Sequence, residues 1–324
     1  MIPAEYKIKS VILGHAVGDA LGVPVEFASR KELEEAPVEA MEGFGTYPYP
    51  AGTWSDDTSM SLCALDSLSK GEIDWDEIMQ NFVAWLEHDE YTPTGEMFDA
   101  GTTCVTAIEN YISGKTTATE SGEKGERSNG NGSLMRINPF VLFEYFKGTF
   151  NVETIHTASA LTHAHERSKM ACGIYAFVLW ELLKAPSKGA IRKGLCKASR
   201  FYRDCDEVRS YYKMLFRRIG LTEIHYEDPD TFQKATIDEI KSSGYVVDTI
   251  EAAIWCLMNT HSYKECVLTA VNLGDDTDTV AAVAGGLAGA LYGYDSIPKE
   301  WLDTLARRDY IEEMCEHACD IWCE

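Results

Sequence analysis

Positive charge is in short supply. The 324 residues carry 29 Lys and Arg against 52 Asp and Glu, a formal net charge of −23. Nucleic-acid affinity depends on Lys and Arg neutralising phosphates, so this balance excludes a large DNA or RNA surface. It equally disfavours a polybasic face for membrane docking. Long hydrophobic runs are missing as well: the longest, Met170–Leu183 and Val280–Tyr294, fall short of the roughly 20 residues that cross a bilayer, and the first carries Glu181. The N-terminus has an apolar segment but also early acids and no cleavage site, which is not a signal-peptide pattern. Ten cysteines without a CxxC pair are too dilute for a disulfide scaffold. Reduced thiols in a cytoplasmic protein are expected.

Alternating strand patterns and hairpin turns are also scarce, and what replaces them is helical periodicity. In Ser10–Gly22 the apolar positions Ile12, Leu13, Ala16, Val17, Ala20 and Leu21 follow a buried helical stripe. Similar stripes run through Asp57–Ser69, Trp75–Leu86, Met170–Lys184, Val247–Leu257, Tyr263–Val271, Thr279–Tyr292 and Trp301–Trp322. The expected fold is all-α, a single compact many-helix orthogonal bundle. By length alone the chain could hold two domains, but no repeat and no clean linker divides it, so one domain over residues 1–324 is expected. In the stretch after residue 279, Gly285, Gly289 and Gly293 recur every fourth residue among alanines. Each glycine costs a helix about 1 kcal/mol relative to alanine, which makes sense only where another backbone approaches closely. This stretch reads as a central helix packed on all sides.

Two segments break the periodicity. Glu39–Ser55 is rich in Gly, Pro and Tyr and reads as a loop. Ser113–Arg136 is polar and longer than the 12–15 residues usual for a passive connection. It is expected to hold a mobile part near Thr116–Glu126 and then an ordered Gly/Asn turn at Asn129–Ser133.

Acids gather at two places: Ser55-Asp56-Asp57-Thr58, and Asp275-Asp276-Thr277-Asp278-Thr279. Each precedes an apolar helix, and helix capping is the plain explanation. Capping needs one residue, whereas five carboxylates occupy these two starts. Were the clusters to meet, each like-charge pair at about 4 Å would cost about 1 kcal/mol in water and about 4 at an effective dielectric of 20. Either protons or cations must then offset the repulsion. Oxygen ligands with interspersed hydroxyls suit Mg²⁺, Mn²⁺ or Ca²⁺ rather than zinc.

These residues sit in a larger pattern. Gly14–Phe27 (GHAVGDALGVPVEF), Gly52–Thr58 (GTWSDDT), Phe98–Ala107 (FDAGTTCVTA), Ser128–Pro139 (SNGNGSLMRINP) with Leu161–Glu166 (LTHAHE), and Asn272–Gly286 (NLGDDTDTVAAVAGG) follow in order. The set resembles the ADP-ribosylglycohydrolases, the group of the dinitrogenase-reductase-activating glycohydrolase, the ADP-ribosyl-arginine and ADP-ribosyl-serine hydrolases and the J1-type crystallins. The resemblance implies an all-α domain with a dinuclear Mg²⁺ or Mn²⁺ centre at the base of an ADP-ribose cleft. Carried over by position, it implies Ser55, Asp56, Asp57, Asp276, Asp278 and Thr279 as metal ligands, with Glu26 beside them. Ser55 stands where Thr is usual, which keeps the hydroxyl, and Asp275 stands where Gly is usual, which adds charge next to the site.

The resemblance also implies roles. Glycosidic cleavage passes through an oxocarbenium-like transition state with carboxylates handling water or leaving group. Glu26 is the first candidate for that work, and Asp99 the second, with helix capping an equal explanation for Asp99. Gly101 belongs to the same block. Asn129, Gly130, Asn131, Gly132 and Ser133 can present backbone N–H groups to a pyrophosphate, and His163 matches a histidine that contacts ADP-ribose. His165 reads as structural, as do Cys315, Cys319, Cys323 and His317, whose spacing puts the thiols on one face and the imidazole elsewhere. The expected activity is hydrolysis of the bond between ADP-ribose and a modified side chain, arginine favoured, on an ADP-ribosylated protein or small ADP-ribose conjugate. An acidic surface favours basic peptides around a modified arginine.

Other readings are weaker. Asp276-Thr277-Asp278-Thr279-Val280 fits the nucleophile motif of haloacid-dehalogenase-like phosphatases, but no doubly wound sheet fits in the helical remainder. Asp56-Asp57 lacks the third acid of an isoprenoid-synthase motif. A binding or crystallin-like module without catalysis is the serious alternative, and the intact acids argue against it.

Overall fold

Residues 3–203 and 232–323 are described in the computed structural model. They form fourteen α-helices: α1 (Ala4–Gly22), α2 (Arg30–Glu35), α3 (Asp56–Leu68), α4 (Trp75–His88), α5 (Thr102–Ile112), α6 (Asn138–Phe146), α7 (Val152–Ala160), α8 (Glu166–Lys184), α9 (Lys188–Arg203), α10 (Val246–Asn259), α11 (Tyr263–Val271), α12 (Thr277–Tyr292), α13 (Lys299–Thr304) and α14 (Arg308–Trp322). Among the described residues extended pairing is limited to two isolated bridges, Glu123 with His163 and Gly130 with Tyr245.

The centre of the fold is an antiparallel pair of helices in backbone contact. A Cβ on Gly18 of α1 would stand 2.1 Å from the Ala281 carbonyl oxygen of α12, and one on Gly289 would stand 1.7 Å from the Ser10 carbonyl oxygen. Nothing larger than hydrogen fits between them. Residues from Ile8 to Gly22 and from Thr277 to Gly289 are buried, so both helices are enclosed rather than one. Gly293 does not belong to this seam: it ends α12 with φ +87° and has open space around it. Replacing Gly18 with Ala drives a methyl group into backbone, and overpacking typically costs about 1–3 kcal/mol. Because neither backbone can yield here, Gly18→Ala is expected to lose about 3 kcal/mol or more, read as a lowered urea midpoint in far-UV circular dichroism.

The segment Ala4–Val25 is in fact long and apolar enough to span a bilayer, which corrects the expectation from run length, and 89% of its most apolar window is buried inside the protein. A hydrophobic stretch that is already covered by α12 has found its partner. The stripe Trp301–Trp322 is also not one helix. Residues 305–307 interrupt it, with Arg307 in the left-handed region at φ 50°. The break serves the loop before α3: Trp54 donates its indole N–H to the Ala306 carbonyl, and the Ala306 N–H donates to the Gly52 carbonyl. This anchors the chain one residue before Ser55.

The segment expected to be mobile, Thr116–Glu126, is tied down. It contains a 3₁₀ turn at Ala118–Glu120, Ser121 is buried, and Glu123 exchanges backbone hydrogen bonds with Thr162 and Ala164. Polar composition did not reveal these partners because they are backbone groups of a distant turn.

Candidate active site

Helix packing brings both acidic clusters to one place. A Cβ on Gly22, the last residue of α1, would lie 2.3 Å from Cα of Asp278, so the close seam ends directly against the start of α12. The start of α3 is fixed to the same helix by Asp19. Its carboxylate accepts from Ser55 N at 2.9 Å, from Thr58 N at 3.1 Å and from Thr58 Oγ1 at 2.6 Å. Ser55 itself caps α3 by accepting from the Asp57 amide. Capping at α3 is thus done by Ser55 and Asp19, which leaves Asp56 and Asp57 for other work. At α12 the N-cap residue Asp276 makes no side-chain cap hydrogen bond. Capping therefore accounts for Ser55 at α3 and leaves Asp56, Asp57 and Asp276 unexplained.

Three carboxylates, Asp19, Asp57 and Asp278, place ligand oxygens within 4.8 Å of one another, and so do Glu26, Asp99 and Asp278. Asp278 is common to both sets. Burial is severe: Asp19, Asp57 and Asp278 are at most 1% exposed. Loss of solvent, reinforced by neighbouring carboxylates, holds the Asp56, Asp57 and Asp278 carboxyls well above the ordinary range. Glu26 is pushed up to about 8 by burial, with the charges of Asp99 and Asp276 adding to it. Asp57 Oδ1, Asp276 Oδ1 and Glu26 Oε2 are buried without a hydrogen-bond partner among the described residues. A polar atom left so costs about 1–3 kcal/mol, more when charged. An all-oxygen set with orphaned acceptors and mutual repulsion fits hard divalent cations.

Next to these acids opens a cleft of about 290 Å³ whose lining includes Glu26, Phe27, Asp56, Asp99, Asp276 and Thr279 together with Gly101, Gly130, Asn131, Gly132 and His163. Ser55, Asp57 and Asp278 lie beneath it. Asp99 does not cap α5, whose N-cap is Gly101. Its left-handed backbone, φ 54°, is accompanied by a side chain shared with Tyr47, Glu26 and Asp278.

The Gly/Asn turn is held by the segment before α10. Asn131 N donates to the Gly244 carbonyl and Val246 N to the Asn129 carbonyl, so the Asn131 amide is spent inside the protein. The Asn131 side chain instead reaches Asp276 Oδ2 at 2.9 Å. Asn129 and Ser133 sit behind the wall, Asn129 accepting from Ser168 and Ser133 bonded to Ser159. His163 is buried against Gly132, its Nδ1 on Thr162 Oγ1 at 2.9 Å, and burial lowers it to about 3, so it is neutral. His165 caps α8 and Cys315 is buried in the core.

Sequence reasoning passed over Asp19 and Gly244. The first had a readable signal, the one acid in the stretch Ser10–Gly22. Gly244 had none, since its role is only to leave room: a Cβ there would meet Asp276 Oδ2 at 2.9 Å.

An all-α fold whose two acidic helix starts floor one cleft defines the glycohydrolase class expected from the motifs. The sequence pattern of the ADP-ribosylglycohydrolases matches residues 3–323, and the chain belongs to that family. It is an ADP-ribosylglycohydrolase enzyme, similar over 312 residues to the ADP-ribosylarginine hydrolase Tri1 of Serratia proteamaculans, at 34% identity covering 96% of this chain and 78% of that one. It is 32% identical to the ADP-ribosyl-[dinitrogen reductase] glycohydrolase of Rhodospirillum rubrum, covering 90% of this chain and 88% of that one. Among solved structures, an ADP-ribosylglycohydrolase-related protein complex matches with TM-score 0.79 and 29% identity, covering 98% of both chains.

Proposed function

We propose that this enzyme, one domain working in the cytoplasm, hydrolyses the N-glycosidic bond between ADP-ribose and the guanidinium of a modified arginine. Relatives named ADP-ribosylarginine hydrolase, at 34% and 32% identity, support that linkage. The observation that carries the reading is the junction of Glu26 and Asp99 with the buried acids through Asp278. Two divalent ions, Mg²⁺ or Mn²⁺, would be held by Ser55, Asp56, Asp57, Asp276, Asp278 and Thr279, with Asp19 behind them. When bound, such ions supply Lewis-acid binding for ribose hydroxyls.

The chain's own residues supply the rest. Gly101, Gly130, Gly132 and His163 line the cleft, and the glycines leave room for the dinucleotide. Glu26 in its ionised form, which bound cations would favour by offsetting the neighbouring acids, takes on Oε2 the proton of the water that adds to the anomeric carbon. Asp99, bonded to Glu26 directly and through the shared Tyr47 hydroxyl, holds the second proton position for the leaving nitrogen. Asn131 fixes Asp276 from the wall side.

The test is release of free ADP-ribose from an ADP-ribosylated arginine peptide. Chelation is expected to abolish release, and added Mg²⁺ or Mn²⁺ to restore it. Tight ADP-ribose binding with no release under either metal would instead indicate a binding module.

A further inference from the structure

Phe27 and Asp275 share an arrangement that folding does not favour. Both adopt left-handed backbone, φ 67° and 60°, which bulky residues rarely do. Two hydrogen bonds clamp them together: Phe27 N–H donates to the Asp275 carbonyl at 2.7 Å, and Asp275 N–H to the Ala28 carbonyl at 2.8 Å. The left-handed φ explains why glycine is usual at position 275 in the family, so an aspartate there adds a carboxylate at a conformational cost. The Phe27 ring lines the cleft next to Glu26 yet stays 68% exposed, and Asp275 is exposed as well. Of the adjoining cations, Arg30 is committed to the carbonyls of Leu273, Ile237 and Ile240, and Lys31 pairs with Glu35.

The geometry points to Phe27 and Asp275 as the subsite that receives a cationic leaving group, and this rests on the arginine reading above. An aromatic face attracts a guanidinium, and an exposed carboxylate on the same clamp draws positive charge to the mouth of the cleft. Phe27 directly follows Glu26, the residue proposed to act where the bond to the leaving group breaks, and lines the same cleft. Both residues are therefore specificity-determining: Phe27, in the cleft lining, contacts the part of the substrate that ADP-ribose itself lacks, and Asp275, outside that lining, acts on it through its charge.

The experiment compares wild type, Phe27→Leu and Asp275→Asn for KM on ADP-ribosylarginine peptide and for inhibition by free ADP-ribose. Asparagine tolerates left-handed backbone, so the second variant removes charge with the clamp intact. KM is expected to rise about three- to fivefold in Phe27→Leu. In Asp275→Asn it should rise about threefold at low salt, an effect that fades near about 0.5 M salt. The inhibition constant of ADP-ribose should stay within about twofold in both, since a few-fold change is what a lost contact would produce. Unchanged KM, or equal shifts in KM and in ADP-ribose inhibition, overturns the subsite while leaving arginine hydrolysis standing. A wild-type protein that binds ADP-ribose and ignores the arginine conjugate overturns both.

Discussion

Asp278→Asn protein is expected to release ADP-ribose at least about a hundredfold more slowly than wild type, at saturating Mg²⁺ or Mn²⁺. The estimate starts from outer-shell partners of metal ligands, whose loss typically costs about 10–100-fold. Asp278 is more central than such a partner, because its carboxylate belongs to both oxygen sets. The substitution keeps the volume of a side chain that is 1% exposed, so no cavity confuses the result. It also removes one charge from a cluster whose members raise one another's proton affinity. The metal-free variant should therefore be at least as stable as metal-free wild type. Wild type should gain stability with the ion, by about 2.7 kcal/mol at a hundred times the dissociation constant, and the variant should gain much less. Activity and metal-free stability moving in opposite directions would separate a functional cluster from a structural one. Thermal melts with and without Mn²⁺ beside the turnover assay make the comparison.

Glu26→Gln tests the proton-transfer role. General-base assistance is worth about 10²–10⁴-fold, so kcat should fall by that factor. Affinity for ADP-ribose should change little, because glutamine keeps the size and the acceptor oxygen of a side chain that is 6% exposed. Single-turnover rates alongside calorimetric ADP-ribose binding give the two quantities. A loss confined to KM would move Glu26 from chemistry to substrate binding.

Much of this was legible in the residues. Helical periodicity is a local property, so the buried stripes of α1, α3 and α12 appear in the sequence as they do in space. The acids at Asp56–Asp57 and Asp276–Asp278 are visible as more charge than two helix starts require. What periodicity could not show is which backbone meets which. The Gly18 and Gly22 contacts with α12 depend on a partner more than 250 positions away in sequence. Asp19 is the one acid of the stretch Ser10–Gly22, and only the packed structure shows it capping α3 from outside. The break at residues 305–307 was hidden for the same reason: its apolar stripe continues in register, while the cause is docking of Trp54 and Gly52. The Gly/Asn turn reads as a phosphate cradle from its residue types; Gly130, Asn131 and Gly132 do line the cleft, while the Asn131 amide is bonded to Gly244 and Ser133 to Ser159. Glycine content signals close approach without saying to what.

Mn²⁺ titration followed by calorimetry, on wild type and on Asp278→Asn, bears most directly on whether the two helix starts act as one ion-holding floor. Two ions per wild-type chain are expected, with at least one lost in the variant. Equal stoichiometry in the two proteins, or no saturable binding to wild type, would contradict the account.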